Sequence, residues 1–304
     1  KESMMKKYRM MLCGFGAAFL LAACGSGGEE VQIVEQEEIT EVSWPEEEKM
    51  EEPAEAEDLE EAAPEELPAE TEQAEASDDK PAVVTIETEN QEYKDGDRVL
   101  LTTVYDHVTV VVEGNEEATK LIMAEFEKSE KEFPEGIEET LEWARENPAV
   151  AEGGISYDQE HGYEVERNDG RILSFSSLVG GYEGGAHGYY MEYGLNFDAK
   201  TGKLLTIADV AADQDAFREI CVEKMLEKYE ELRAEGRVFE EEMIPPSLRE
   251  VLEGKMEGDE WYFTEDGVRF ISNIYEIAPY AEGETLYDIP YELVNDVLKE
   301  EYRR

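Results

Sequence analysis

The sequence predicts an α+β fold, mainly antiparallel sheet with packed helices in two lobes, preceded by a disordered acidic linker. Strand-like runs cluster in adjacent groups and are interrupted by helical stretches, without the regular β-α alternation of a parallel sheet. The chain is also unevenly charged. Residues 29–80 carry 23 acidic and two basic residues, whereas residues 81–304 hold most of the aliphatic and aromatic side chains at a net charge of −33. Of 304 residues, 27 are Lys or Arg and 78 are Asp or Glu, a net charge of −51. Such a chain repels phosphate backbones, whose binding depends on basic side chains releasing counterions, so nucleic acid is excluded as a partner. A basic partner is attracted.

The elements follow in order. Lys6, Lys7 and Arg9 precede an apolar run from Met10 to Ala23, too short to span a bilayer at about 20 residues, which is the pattern of a signal peptide. It ends in Leu21-Ala22-Ala23-Cys24, which resembles the lipobox of bacterial lipoproteins. That resemblance implies cleavage before Cys24, acyl chains on Cys24, and a mature protein that is extracytoplasmic and lipid-anchored to the bacterial cell membrane. Multi-chain acylation anchors stably because each buried methylene contributes about 0.8 kcal/mol. Residues 24–80 are nearly all Glu, Ala, Pro, Gln and Ser, and cannot bury enough apolar area to offset chain entropy. With Cys13 in the signal peptide and Cys24 lipidated, Cys221 is the sole thiol of the folded part. It lies in the helical spacing Phe217, Ile220, Cys221, Met225, a core hydrophobe's position.

The first lobe is expected over 81–206. Ala82–Glu87 and Arg98–Val112, rich in Val, Thr and Tyr, are strands. Asn115 caps a helix through Leu121, Ile122, Phe126 and Phe133 that stops before Pro134, and a second short helix runs from about Ile137 to Glu146. Gly162–Glu166, Ile172–Val179 and Tyr189–Phe197 follow as strands, with Asn168-Asp169-Gly170 turning between the first two. On the last of them Tyr189, Met191, Tyr193, Leu195 and Phe197 face a core, and Tyr190, Glu192, Asn196 and Asp198 face water. Asp198–Lys203 is a polar turn into a strand Leu204–Thr206; it lacks the alternating acids and closing Glu of a calcium loop.

The second lobe is expected over 207–304. A helix from about Asp215 to Ala234 is capped by Asp213 and ended at Gly236, and a short helix lies near Leu248–Leu252. A hairpin joins Trp261–Phe263 to Val268–Ile274 through Asp266-Gly267. Leu286–Ile289 adds an edge strand, and Pro290 opens a terminal helix.

Two motif groups, Phe175-Ser176-Ser177-Leu178 with Tyr182-Glu183-Gly184-Gly185-Ala186-His187-Gly188 and Leu195–Lys203, and then Trp261–Gly267 with Tyr275–Gly283, are similar to an extracytoplasmic two-domain family. In that RsiV-like and PdaC N-terminal-like family, residues 81–206 correspond to the PdaC N-terminal-like domain and residues 207–304 to the RsiV C-terminal-like domain. The resemblance implies lysozyme as a partner and carries no catalytic residues. Neither a sigma-binding segment nor a polysaccharide deacetylase domain is recognised in the chain, so neither activity is expected of it.

On their own chemistry, Tyr182, Glu183, Gly184, Gly185, His187, Tyr189, Tyr275 and Tyr280 are the candidate ligand-binding residues. Glycines let a backbone approach a ligand, and tyrosines supply contact area with a polar tip. By strand parity His187 falls with Tyr189 and Met191, as a core or supporting histidine that fixes the Gly-rich turn. His107 and His161 stand alone, without zinc-ligand spacing, and no metal or cofactor is expected. No nucleophile elbow, P-loop or dinucleotide fingerprint is present, and no catalytic residue is assigned. The function expected is a surface-displayed binding module for a basic protein such as lysozyme, or for the peptidoglycan glycan. A wall-acting hydrolase or deacetylase accessory using His187, and a structural envelope lipoprotein, are the alternatives.

Overall fold

The computed structural model describes residues 80–244 and 247–304. The expected signal peptide, the expected lipid anchor Cys24 and the expected acidic linker up to residue 79 lie outside the described residues. The architecture is α+β, with a five-stranded sheet, a three-stranded antiparallel sheet and several helices.

Strands β1 (Val83–Asp95) and β2 (Arg98–Val111) form a hairpin through a two-residue loop in which Gly96 takes φ 63°, a conformation that costs a glycine little. The polar run Thr88–Asp95, not expected as strand, continues β1 because each residue has a ladder partner on β2. Next comes α1 (Glu116–Glu146), a single helix of 31 residues with Pro134 inside it. The expected break before Pro134 is therefore corrected. The proline removes one backbone hydrogen bond, but Phe126 before it and Phe133, Ile137 and Leu141 around it are buried against the sheet, and that packing carries the helix through. Asn115 caps the helix by accepting from the Ala118 N–H.

After the short helix α2 (Pro148–Ala151) the chain returns as β3 (Tyr157–Asn168), parallel to β2, then β4 (Ile172–Tyr182) and β5 (Tyr189–Asp198), both antiparallel, giving sheet order β1-β2-β3-β4-β5. The parallel pair needs a long crossover, which α1 and α2 supply. Val108, Val110, Tyr163, Leu173, Phe175 and Phe197 bury one sheet face against α1.

The rest of the chain contains α3 (Ile207–Val210), α4 (Gln214–Ala234), α5 (Leu248–Gly254), the sheet β6 (Trp261–Phe263), β7 (Gly267–Ser272) and β8 (Thr285–Pro290), and α6 (Tyr291–Val294). Asp213 caps α4, which buries Phe217, Cys221, Met225, Tyr229 and Leu232 against the β6-β7-β8 sheet. Burial pushes the Cys221 thiol well above its ordinary range, so it stays protonated. Leu204–Thr206 forms only an isolated bridge, Leu204 to Phe197, not the expected strand, because Asp198 turns the chain back on itself. The Asp198 carboxylate accepts from the Lys200 and Thr201 N–H groups, meets Arg171 and accepts from Tyr302 Oη, which uses its oxygens within the protein.

The second correction concerns β5. Its expected water-facing side is dry at Asn196 and Asp198, which are 2% and 3% exposed. The β6 strand and the C-terminal residue Tyr302 cover it. Asn196 Nδ2 donates to the Trp261 carbonyl (3.0 Å), and the Phe263 N–H donates to Asn196 Oδ1 (2.9 Å) and Ser174 Oγ (3.1 Å). These polar side chains serve the otherwise open backbone of β6, which satisfies buried groups that would each cost free energy unpaired. Among the described residues no helix is long and apolar enough to cross a membrane.

Candidate functional site

The Gly-rich segment 183–188 links β4 to β5, and its first residues are pinned from below. Tyr182 Oη donates to the Gly185 carbonyl at 3.0 Å, closing the loop on itself. Gly184 and Gly185 take φ 89° and 103°, where a side chain would be strained. Glu183 is turned back toward α1 and β3: its Oε1 accepts from Gln159 Nε2 (3.0 Å) and Thr140 Oγ1 (3.1 Å). It anchors the loop and is not presented at the surface with the histidine.

His187 is exposed, not in the core where parity placed it, because the strand begins only at Tyr189 and the glycines break the alternation. Its Nδ1 lies 2.7 Å from the Gly188 carbonyl and its Nε2 2.9 Å from Tyr275 Oη. A carbonyl can only accept, so Nδ1 carries the proton and Tyr275 donates to Nε2. Both ring nitrogens are thereby engaged. The imidazole stacks on Tyr280 with centroids 3.7 Å apart and planes 18° from parallel. Tyr275 lies 5.9 Å from each of these rings, and Tyr190 meets Tyr280 edge-on at 6.4 Å. Of the sequence-selected residues, His187, Tyr275 and Tyr280 thus come together, across 88 residues of chain in the case of His187 and Tyr275. Tyr182 and Glu183 support the loop, and Tyr189 sits half-buried at the start of β5 opposite Gly181.

Behind Tyr190 an open cleft of about 390 Å³ lies between the uncovered face of the large sheet and the second sheet, and Asp106, Glu164, Glu166, Glu192, Glu284 and Arg269 are among its lining. Burial raises the Glu192 carboxyl above its usual range; Tyr262 Oη, donating at 2.6 Å, counters this, while Glu284 and Glu166 add to it. Arg269 is already held by Asp288 at 2.6 Å. Among the described residues no group of three or more His, Cys, Asp or Glu is arranged to hold a metal ion. The arrangement presents exposed aromatic rings beside a field of carboxylates, which suits contact with a cationic or planar group.

The other two histidines are elsewhere. His161 is buried beneath α1, and His107 bridges Glu89 of β1 and Glu130 of α1, whose hydrogen bonds raise its pKa above the ordinary value. Sequence reasoning passed over Tyr190 and Glu192 as site residues, although period two along β5 puts them on one side. It also passed over Lys255, a lysine only 3% exposed, for which no local pattern gives a signal.

Residues 209–292 match the model of the DUF3298 family, described as a protein of unknown function. No curated protein matches the chain. The chain is similar to the crystal structure of a DUF3298 family member from Bacteroides fragilis, with 17% identity and a TM-score of 0.53, covering 72% of this chain and 94% of that one. It is also similar to a DUF3298 family protein from Pseudomonas aeruginosa, with 16% identity and a TM-score of 0.48, covering 74% and 98%. At 17% identity the first likeness speaks to the fold alone.

Proposed function

We propose that the chain is a lipid-anchored, extracytoplasmic binding module of the bacterial envelope, of the RsiV-like and PdaC N-terminal-like kind, and that it recognises a basic protein such as lysozyme. The observation that carries this reading is the group of exposed His187 and Tyr275 with half-buried Tyr280 beside a carboxylate-lined cleft. Aromatic anchors ringed by one sign of charge are what a cationic protein surface needs: rings for contact area, charge for steering. The net charge of −33 over residues 81–304 supports it. A second reading, a peptidoglycan glycan, is favoured by one feature, the near-parallel Tyr280 and His187 pair, whose flat face suits a sugar ring.

Salt separates the two. Lysozyme mixed with the lipid-free chain is expected to bind at low ionic strength and to lose affinity as the Debye length falls from about 30 Å at 0.01 M to about 8 Å at 0.15 M. Binding of soluble glycan fragments that is insensitive to salt, with no lysozyme binding at either ionic strength, would move the assignment to the glycan.

A further inference from the structure

Tyr275 is the one non-glycine residue with positive φ among the described residues, at 66°. A bulky L-residue there is costly, and glycine would adopt the same backbone freely. The ring does not repay that cost in the core: it is 48% exposed and lies in none of the buried hydrophobic clusters. The turn is nevertheless held from several sides. The Glu276 N–H donates to the Asn273 carbonyl (3.1 Å), and the Asn273 N–H donates to Glu276 Oε2 (3.0 Å). Lys255, at the C-terminal end of α5, pairs with that same Glu276 carboxylate and lies 3.8 Å from Glu260. The Asn273 amide also exchanges two hydrogen bonds with the backbone of Glu192 on β5, at 2.7 and 3.1 Å. A buried lysine is an expensive way to fasten a surface turn unless the residue the turn displays is needed.

We propose that Tyr275 is a principal contact residue of the binding surface, gripping an Arg or Lys side chain of the basic partner on its ring, and that the ion pair of buried Lys255 with half-buried Glu276 positions it. This rests on the function proposed above. Ring faces attract cations, and the surrounding charge selects the same kind of partner. Lys255 touches no ligand; it fixes the conformation in which the ring is shown.

The test is a double-mutant cycle on the lipid-free chain with lysozyme as probe, read by titration calorimetry at low salt, with thermal unfolding of each variant. Tyr275→Gly is expected to weaken binding about tenfold or more while leaving Tm unchanged or raising it, since backbone strain is relieved. Lys255→Met is expected to weaken binding in the parent chain but to cost nothing further in the Tyr275→Gly background, a coupling that independent structural damage does not produce. Should Lys255→Met fail to fold, Glu276→Gln takes its place in the cycle. Parent-like affinity of Tyr275→Gly, a fall in its Tm, or additive losses in the cycle would overturn the inference while leaving lysozyme recognition standing. A parent chain that does not bind lysozyme at all overturns both.

Discussion

His161 makes the stability of the α1 interface acid-sensitive by an amount that can be worked from its surroundings. It is 4% exposed and is ringed by Tyr105, Phe133 and Tyr163. Tyr163 Oη donates to Ser129 Oγ (3.0 Å), which leaves the Ser129 hydroxyl proton for His161 Nδ1 (3.2 Å), so Nε2 carries the imidazole proton and donates to Ser177 Oγ (2.9 Å). The neutral ring is fully satisfied. A second proton would sit on Nδ1 facing a hydroxyl that must reverse, in a buried site, and the nearby charge of Asp106 offsets only part of that cost. Burial accordingly lowers the pKa from 6.5 to about 4. Because the unfolded chain binds this proton more readily, the contribution is complete above about pH 6.5 and is lost as pH falls from there to about 4, a total of roughly 3 kcal/mol at 1.36 kcal/mol per unit. Urea unfolding of the parent and of His161→Gln between pH 7.5 and 4 isolates the effect, since every other titrating group is common to both chains. The parent is expected to be the more stable at pH 7.5, and the gap between them to close by roughly 3 kcal/mol on acidification. A gap that stays constant, or widens, would refute the reasoning.

Gly194 lies against β6: a Cβ there would stand 1.7 Å from the Trp261 carbonyl oxygen, which is backbone and cannot swing away. Gly194→Ala is therefore expected to destabilise by about 3 kcal/mol or more, visible as a Tm lowered by at least several degrees; a loss below about 1 kcal/mol would mean the junction yields. Pro134→Ala restores a helix N–H and removes the ring's clash inside α1. Against an interior-proline cost of about 3 kcal/mol and a loss of about 0.4–1 kcal/mol through the freer unfolded chain, a gain of about 2–2.6 kcal/mol in urea stability is expected. No gain would mean the helix has already relaxed around the ring.

Where the sequence could be read, a local physical signal decided the element. Asn115 and Asp213 cap their helices as their side chains predict, and the apolar spacing of Phe217, Cys221 and Met225 marks the buried stripe of α4. Where reading failed, a distant partner decided. Thr88–Asp95 has a polar composition that suits a loop, yet β2 supplies a ladder partner for each residue. Pro134 reads as a stop until Phe133 and Ile137 are seen held against Leu101 and Tyr105. Asn196 and Asp198 read as wet because polarity is visible in sequence and the sheet that covers them is not.

The candidate site follows the same division, and the reason its halves meet lies in strand chemistry. The outer edge of β5 would leave a row of backbone groups unpaired, a liability for any sheet. Here the segments flanking β6 and β7 close it: the Gly194 N–H donates to the Asp259 carbonyl at 2.6 Å, and the Asn273 amide takes the place of a strand partner at Glu192. Once Asn273 is fastened there, Tyr275 two residues on and Tyr280 beyond it are carried to the start of β5, where the Gly-rich segment presents His187. The Tyr and Gly content of each half is legible in sequence. Their meeting is not, because it depends on a side-chain amide standing in for a backbone. Asn273→Ala consequently removes both the edge cover and the tether of the Tyr275 turn, which ties the geometry of this surface to the junction between β5 and the segment after β7.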